Sequence, residues 1–280
     1  GSTTYQGNLS LPYGGREDQP VFEFSSELRG MTIDMPPPIG KIVADASRPL
    51  QVTQSFEANG SELAFELDQS AGGILRLVGD EVQGGIIEIG RYEPKAAAFD
   101  AIRITGALPY ASLEEWDGFL LRLDALSKGE VSEVFRARLE SVEVQAAEFD
   151  LFGYALEEVA LGLYPDTDGW RMTLLNSEVD GMVRLNDDPD APLEIVLDNL
   201  NLISDGEITD PLAGLTSEDL LPAEVLIRSV VWEGEDFGSW QFRVQPDDEG
   251  VRLSNLVAKS KGMLIDVKDG LHWYPASEAP

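Results

Sequence analysis

Apolar and charged residues alternate along most of this chain with a period of two. Leu63, Phe65 and Leu67 enclose Ala64 and Glu66, Leu75 and Leu77 flank Arg76, and Ile87 and Ile89 flank Glu88. Ile102 and Ile104 flank Arg103, and Val142 and Val144 keep the phase. So do Leu161 and Leu163, Met172 and Leu174, then Val179, Gly181, Val183 and Leu185, and Leu193, Ile195 and Leu197. Phe242 and Val244, Val251 and Leu253, and Met263, Ile265 and Val267 close the series. Successive side chains of a strand point to opposite faces, so this pattern predicts strands with one oily and one wet face. Arg171, Arg184, Arg243 and Arg252 fall on the wet side. Such alternation fits antiparallel strands and does not fit a doubly wound parallel sheet. Roughly fifteen or more strands are expected, at the usual length of about 5–6 residues.

Some segments interrupt the pattern. Met31, Ile33 and Met35 extend a strand expected from Val21, which Pro36-Pro37-Pro38-Ile39-Gly40-Lys41 ends, because proline cannot donate to a ladder. Gly72-Gly73 and Gly84-Gly85 mark turns or bulges. Ser112-Leu113-Glu114-Glu115 reads as a capping box, and Trp116, Leu120 and Leu123 follow at helical spacing, predicting a helix over about 112–128. A second short helix is expected at Thr216–Leu221, closed by Pro222. Val131 to Leu139 is ambiguous.

The second half repeats itself. Pro165-Asp166-Thr167-Asp168-Gly169-Trp170-Arg171-Met172 returns as Pro246-Asp247-Asp248-Glu249-Gly250-Val251-Arg252-Leu253, a shift of 81 residues. Gly169 to Gly181 and Gly250 to Gly262 are both twelve apart, and Phe152-Gly153 answers Phe237-Gly238. Each copy is a turn rich in Asp and Gly between alternating runs, which is a repeated β-hairpin. The expected organisation is one repetitive β segment over 3–274. It is strand-rich over 20–108, with repeated units at about 138–185 and 225–267 and a tail at 275–280. Gly1-Ser2 reads as a cloning scar, and the chain then starts inside a β-type pattern, so a fragment of something longer is expected.

Composition narrows the function. At 43% hydrophobic residues the 280-residue chain can bury a core. The net charge of −31, from 51 acidic against 20 basic residues, repels phosphate backbones and argues against nucleic-acid binding. No apolar run approaches the roughly 20 residues of a membrane-spanning helix, so any membrane anchor is expected outside these residues. Cysteine is absent and His272 is the single histidine, which removes thiolate zinc sites, cysteine nucleophiles and a serine triad with an ordered base. Carboxylates are too many for any pair to signal glycosidase chemistry. Asp166-Thr167-Asp168-Gly169 resembles the front of a calcium loop but lacks its third acidic position, and tight turns require Asp and Gly on their own account. No enzyme, metal or cofactor is expected.

The apolar face is the remaining candidate. Its candidate lining residues are Leu63, Phe65, Leu67, Leu75, Leu77, Ile102, Ile104, Val142, Val144, Leu161, Leu163, Met172, Leu174, Phe242, Val244, Val251 and Leu253. Two sheets packed together would bury them as a core, which periodicity alone favours, since most apolar sheet faces are buried. An open trough would offer them to acyl chains.

Several phrases resemble the YhdP family of the AsmA-like superfamily. They are Leu28-Arg29-Gly30-Met31-Thr32-Ile33-Asp34-Met35-Pro36-Pro37-Pro38-Ile39-Gly40-Lys41, Ile104-Thr105-Gly106-Ala107-Leu108-Pro109 leading into Leu113-Glu114-Glu115-Trp116, and Asp150-Leu151-Phe152-Gly153. Asp236-Phe237-Gly238-Ser239-Trp240-Gln241-Phe242-Arg243-Val244 and Gly250-Val251-Arg252-Leu253-Ser254-Asn255-Leu256 add to them. The resemblance implies an elongated, twisted, mostly antiparallel sheet curled into an apolar groove, with one or two short helices. It also implies a periplasmic segment of an inner-membrane-anchored protein of the Gram-negative envelope, carrying phospholipid toward the outer membrane. Its partners would be phospholipid acyl chains and flanking parts of the same longer chain, and the family offers no catalytic residues. The strong acidity departs from the family's expected character.

Overall fold

The computed structural model describes residues 2–12, 19–79, 81–90, 100–116, 118, 137–151, 154–188, 190–202, 220–247, 250–267 and 270–273. Among the described residues the fold is mostly β, with 70% strand and 3% helix. Backbone contacts divide it into two compact units, Gly1–Ala147 and Glu148–Pro280.

In the first unit, β1 (Tyr5–Ser10), β2 (Val21–Ser26), β3 (Leu50–Glu57), β4 (Gly60–Leu67), β5 (Ala71–Val78) and β6 (Glu81–Ile89) pair antiparallel in chain order. β7 (Ile102–Leu108) then joins β6 in parallel, with Ile87 opposite Ile104. The short β8 (Ala111–Ser112) precedes β9 (Leu139–Leu151), whose first half runs parallel to β7. In the second unit, β10 (Tyr154–Asp166), β11 (Gly169–Leu175), β12 (Val179–Asn186) and β13 (Leu193–Leu202) form an antiparallel meander. β14 (Ala223–Trp232) joins β13 in parallel, and β15 (Glu235–Asp247) and β16 (Gly250–Ser260) continue antiparallel. β17 (Met263–Val267) and β18 (Leu271–Trp273) both pair with β16. Each unit thus contains the same programme: a four-stranded meander (β3–β6, β10–β13) followed by a parallel strand.

The 81-residue repeat is a repeated hairpin register. Pro165 lies opposite Trp170 and Asp166 opposite Gly169, as Pro246 lies opposite Val251 and Asp247 opposite Gly250. Gly169 and Gly250 both take positive φ, +155° and +143°. A third copy of this turn joins β3 to β4, where Glu57 faces Gly60 at φ +153°. At Gly60 a Cβ would stand 2.3 Å from the Leu77 carbonyl oxygen, and at Gly169 1.9 Å from that of Leu185. Glycine is required there both by conformation and by the closeness of the next strand. The correspondence stops short of Gly181 and Gly262, however. Gly181 lies inside β12 at a register shift, whereas Gly262 occupies the turn between β16 and β17.

The expected strand through Met31, Ile33 and Met35 is not formed, and only Ile33 makes a bridge, to Lys41. Two buried cations hold residues 31–48 as a loop by satisfying its carbonyls. Lys41 Nζ donates to Met31 O at 2.5 Å and Ala44 O at 2.6 Å. Arg48 donates to Ile39 O at 2.7 Å, to Ser70 Oγ at 2.5 Å, and to the Pro38 and Gly40 carbonyls. Alternation in a loop with its own hydrogen-bond acceptors thus imitated a strand. At the capping box, residues 113–116 are helical and Ser112 Oγ accepts the Glu115 N–H at 3.4 Å. Apart from Gly118, the rest of the expected 112–128 helix lies outside the described residues, as does 216–219 of the second one, whose Leu220 and Leu221 are not helical.

Candidate functional site

Directly opposed residues of neighbouring strands share a face, so the register fixes which side chains come together. In the first unit Leu63 lies opposite Leu75, Phe65 opposite Gly73, Leu67 opposite Ala71 and Leu77 opposite Ser61. Gly73 lies opposite Ile87, which lies opposite Ile104, and Leu75 leads through Gly85 to Ile102. Ile104 then faces Val142, and Gly106 faces Val144. All nine candidates of this unit therefore lie on one face. In the second unit Leu161 opposes Leu174 and Leu163 opposes Met172. Val183, Ile195 and Val225 carry the row to Phe242, and Val244 opposes Leu253. Val251, opposite Pro246, completes the eight.

Several members of these faces were not singled out from sequence as lining residues, although their alternation carried the signal. They are Phe24 and Val52 in the first unit and Val183, Ile195, Val225 and Trp240 in the second. Ala223, Val225 and Ile227 are the buried centre of the second face, with Leu193, Ile195, Leu197, Phe242 and Val244 packed around them.

Burial differs along these faces. Leu67, Ile102, Val144, Leu174 and Val251 are buried, and the other twelve candidates are half-buried. β12 and β13 have hydrogen-bonded neighbours on both sides, yet neither contains a buried residue. A packed second layer would take central side chains such as Val183 and Ile195 out of solvent.

The opposite face carries charge. Arg184 pairs with Glu194 at 2.9 Å and Asp166 at 3.3 Å, Arg103 with Glu140 at 2.7 Å, Arg228 with Asp198, and Arg243 with Glu224. The Arg171 guanidinium stacks on the Tyr164 ring, 5.0 Å from its centroid. These arginines tie neighbouring strands together, Arg184 reaching across β11 to Asp166, and at such exposure water screens each pair to a small contribution. The Asp166 carboxylate of the calcium-like turn accepts the Thr167 N–H at 2.8 Å and faces Arg184, so local turn bonds and an ion pair engage it. His272 lies 3.5 Å from Asp247.

Each unit is thus a β-sheet with an apolar face and an opposite face that carries ion pairs. A family model described as YhdP protein matches residues 1–275, and the chain belongs to the YhdP family, proteins of the bacterial cell envelope. No curated protein matches the chain. Among the described residues, no helix is long and apolar enough to cross a membrane.

Proposed function

We propose that this chain is a periplasmic segment of an inner-membrane-anchored bridge that carries phospholipid between the two membranes of a Gram-negative envelope, supporting the outer-membrane barrier. Acyl chains would lie on the apolar faces, and the segment would perform no catalysis. The observation that carries this reading is the half-open state of the apolar side chains on β12 and β13, in the middle of their sheet. Each CH₂ removed from water on such a surface contributes about 0.8 kcal/mol, so part of one acyl chain binds without a specific polar contact. The rival is a closed β spacer or protein-binding scaffold, favoured locally where Leu156, Val159 and Val251 are fully buried.

Native mass spectrometry of the purified chain, with Ile104→Glu and Ile195→Glu, separates the two. Both positions are half-buried, so a carboxylate there reaches water and the fold survives. The expected result is co-purified phospholipid in the wild type, diminished in each variant with circular dichroism unchanged. Unfolding of both variants with no lipid ever detected fits a closed core, in which an unpaired charge is not tolerated.

A further inference from the structure

The apolar face of the first unit has a polar notch. Gln54 lies opposite Phe22 on one side and Leu63 on the other. Its Nε2 donates to Ser61 Oγ at 3.0 Å, and buried Ser61 lies opposite Phe56 and Leu77 on the same face. This one bond leaves Gln54 Oε1, its second amide hydrogen and the Ser61 hydroxyl hydrogen without a partner among the described residues. Gln54 is half-buried and meets water while the face is open; a ligand that covers these polar groups must bond them in water's place, so the notch favours a ligand that is apolar with a hydrogen-bonding group inside it. The corresponding positions of the second unit's hairpin, three before its Asp166–Gly169 pair and one after, are Leu163 and Trp170. The notch therefore belongs to one unit and is no requirement of the hairpin.

We propose that Gln54 and Ser61 form a docking point for the acyl ester carbonyl of a glycerolipid. This rests on the acyl-chain reading above and adds a site to it. The Ser61 hydroxyl and the spare Gln54 amide hydrogen supply donors to the ester oxygen, while Phe24, Val52, Phe65 and Leu75 flank it on the same face. A phosphate is the wrong occupant, because no charged residue stands on this face at the paired positions of β2 to β7. A pure hydrocarbon leaves the donors unsatisfied.

The test compares monooleoylglycerol with its ether analogue, which keeps chain and glycerol but lacks the carbonyl, by displacement of an apolar fluorescent probe from the purified chain. One such hydrogen bond predicts about 2- to 10-fold tighter binding of the ester. Gln54→Leu with Ser61→Ala should erase that preference while ether binding stays equal or rises. Ser61→Ala alone, the milder change, should lessen it. Equal affinities in the wild type, or a preference that persists in the folded double variant, would overturn the docking point and leave the acyl-chain reading standing. If neither ligand displaces the probe, the acyl-chain reading falls and the docking point with it. Equal wild-type affinities overturn the docking point whether or not the double variant folds, and the milder Ser61→Ala alone places a wild-type preference at the notch.

Discussion

The meanders β3–β6 and β10–β13 share a strand order, a hairpin with glycine at extreme positive φ, and a parallel strand at the far side, yet their surroundings differ. In the first, β5 begins with four buried residues, Ala71 to Ile74, and β6 buries Gly84, Gly85, Glu88 and Ile89. Its apolar face is thinned by Gly73, Gly85 and Gly106, where neighbouring backbone and side chains occupy the space of a Cβ: Phe65 comes within 2.9 Å of that point at Gly73, and so does Leu75 at Gly85. In the second, branched and long side chains hold nearly every position of the face, and β12 and β13 bury none of them. One topology thus supports a tight and a half-open sheet. Of the buried residues, Ala71, Gly73, Gly85 and Ile89 lie on the apolar face, where glycine lets neighbours fold down onto the sheet, and Gly72, Ile74, Gly84 and Glu88 lie on the reverse.

The largest expected effects come from the shared device. Gly60→Val and Gly169→Val each force a positive φ on a branched residue and drive its Cβ into a carbonyl of the next strand. Each should cost about 3 kcal/mol or more, read as a fall in denaturant midpoint. Unequal losses would show that the two hairpins are not equivalent. Gly262→Ala, at φ +83° with open space around it, should cost only about 1 kcal/mol.

Next come the cavities. Leu156→Ala, at 1% exposure, should lose about 2–5 kcal/mol of unfolding free energy by chemical denaturation. Ile195→Ala, on the half-open face, should lose clearly less, about 1–2 kcal/mol, because less of it leaves water on folding. Equal losses would mean that Ile195 is core and the face closed.

The smallest effect is electrostatic. The Arg103 hydrogen bond and charge hold the Glu140 carboxyl below its ordinary value, and Lys261 does the same to Glu235. A depressed carboxylate contributes stability that is present above its unfolded value and is lost as pH falls through its folded one. Thermal melts of Arg103→Ala and the wild type should therefore differ slightly at neutral pH and converge in acid. A gap that widens in acid would contradict the pairing.

Much of this was legible because strand geometry writes directly into sequence. The period-two pattern located the faces, and the Pro-Asp-x-acid-Gly phrase located two hairpins of identical register. The third, Glu57-Ala58-Asn59-Gly60, lacks the Pro-Asp pair that marks the other two, so the phrase does not reveal it. The parallel pairings β6–β7 and β13–β14 leave no local mark, since they depend on where a connection returns the chain. The Met31–Met35 alternation does not become a strand because the loop around it is held by bonds from Lys41 to Met31 O and from Arg48 to Pro38 O, each spanning ten residues. Gln54 carries no motif of its own, and its register to Phe22 and Leu63 places it on the apolar side.

The central claim is that acyl chains lie on one face of the sheet and not on the other. Photo-crosslinking residues placed singly at Met182, Val183, Arg184, Ile195 and Val196, in cells producing the envelope protein, test it most directly. The register puts Val183 and Ile195 on the apolar face and Met182, Arg184 and Val196 on the reverse. The account predicts phospholipid adducts at Val183 and Ile195 only, a yield that alternates from one residue to the next. Adducts of equal yield at all five positions, or none at any while the protein is folded and in place, would contradict it.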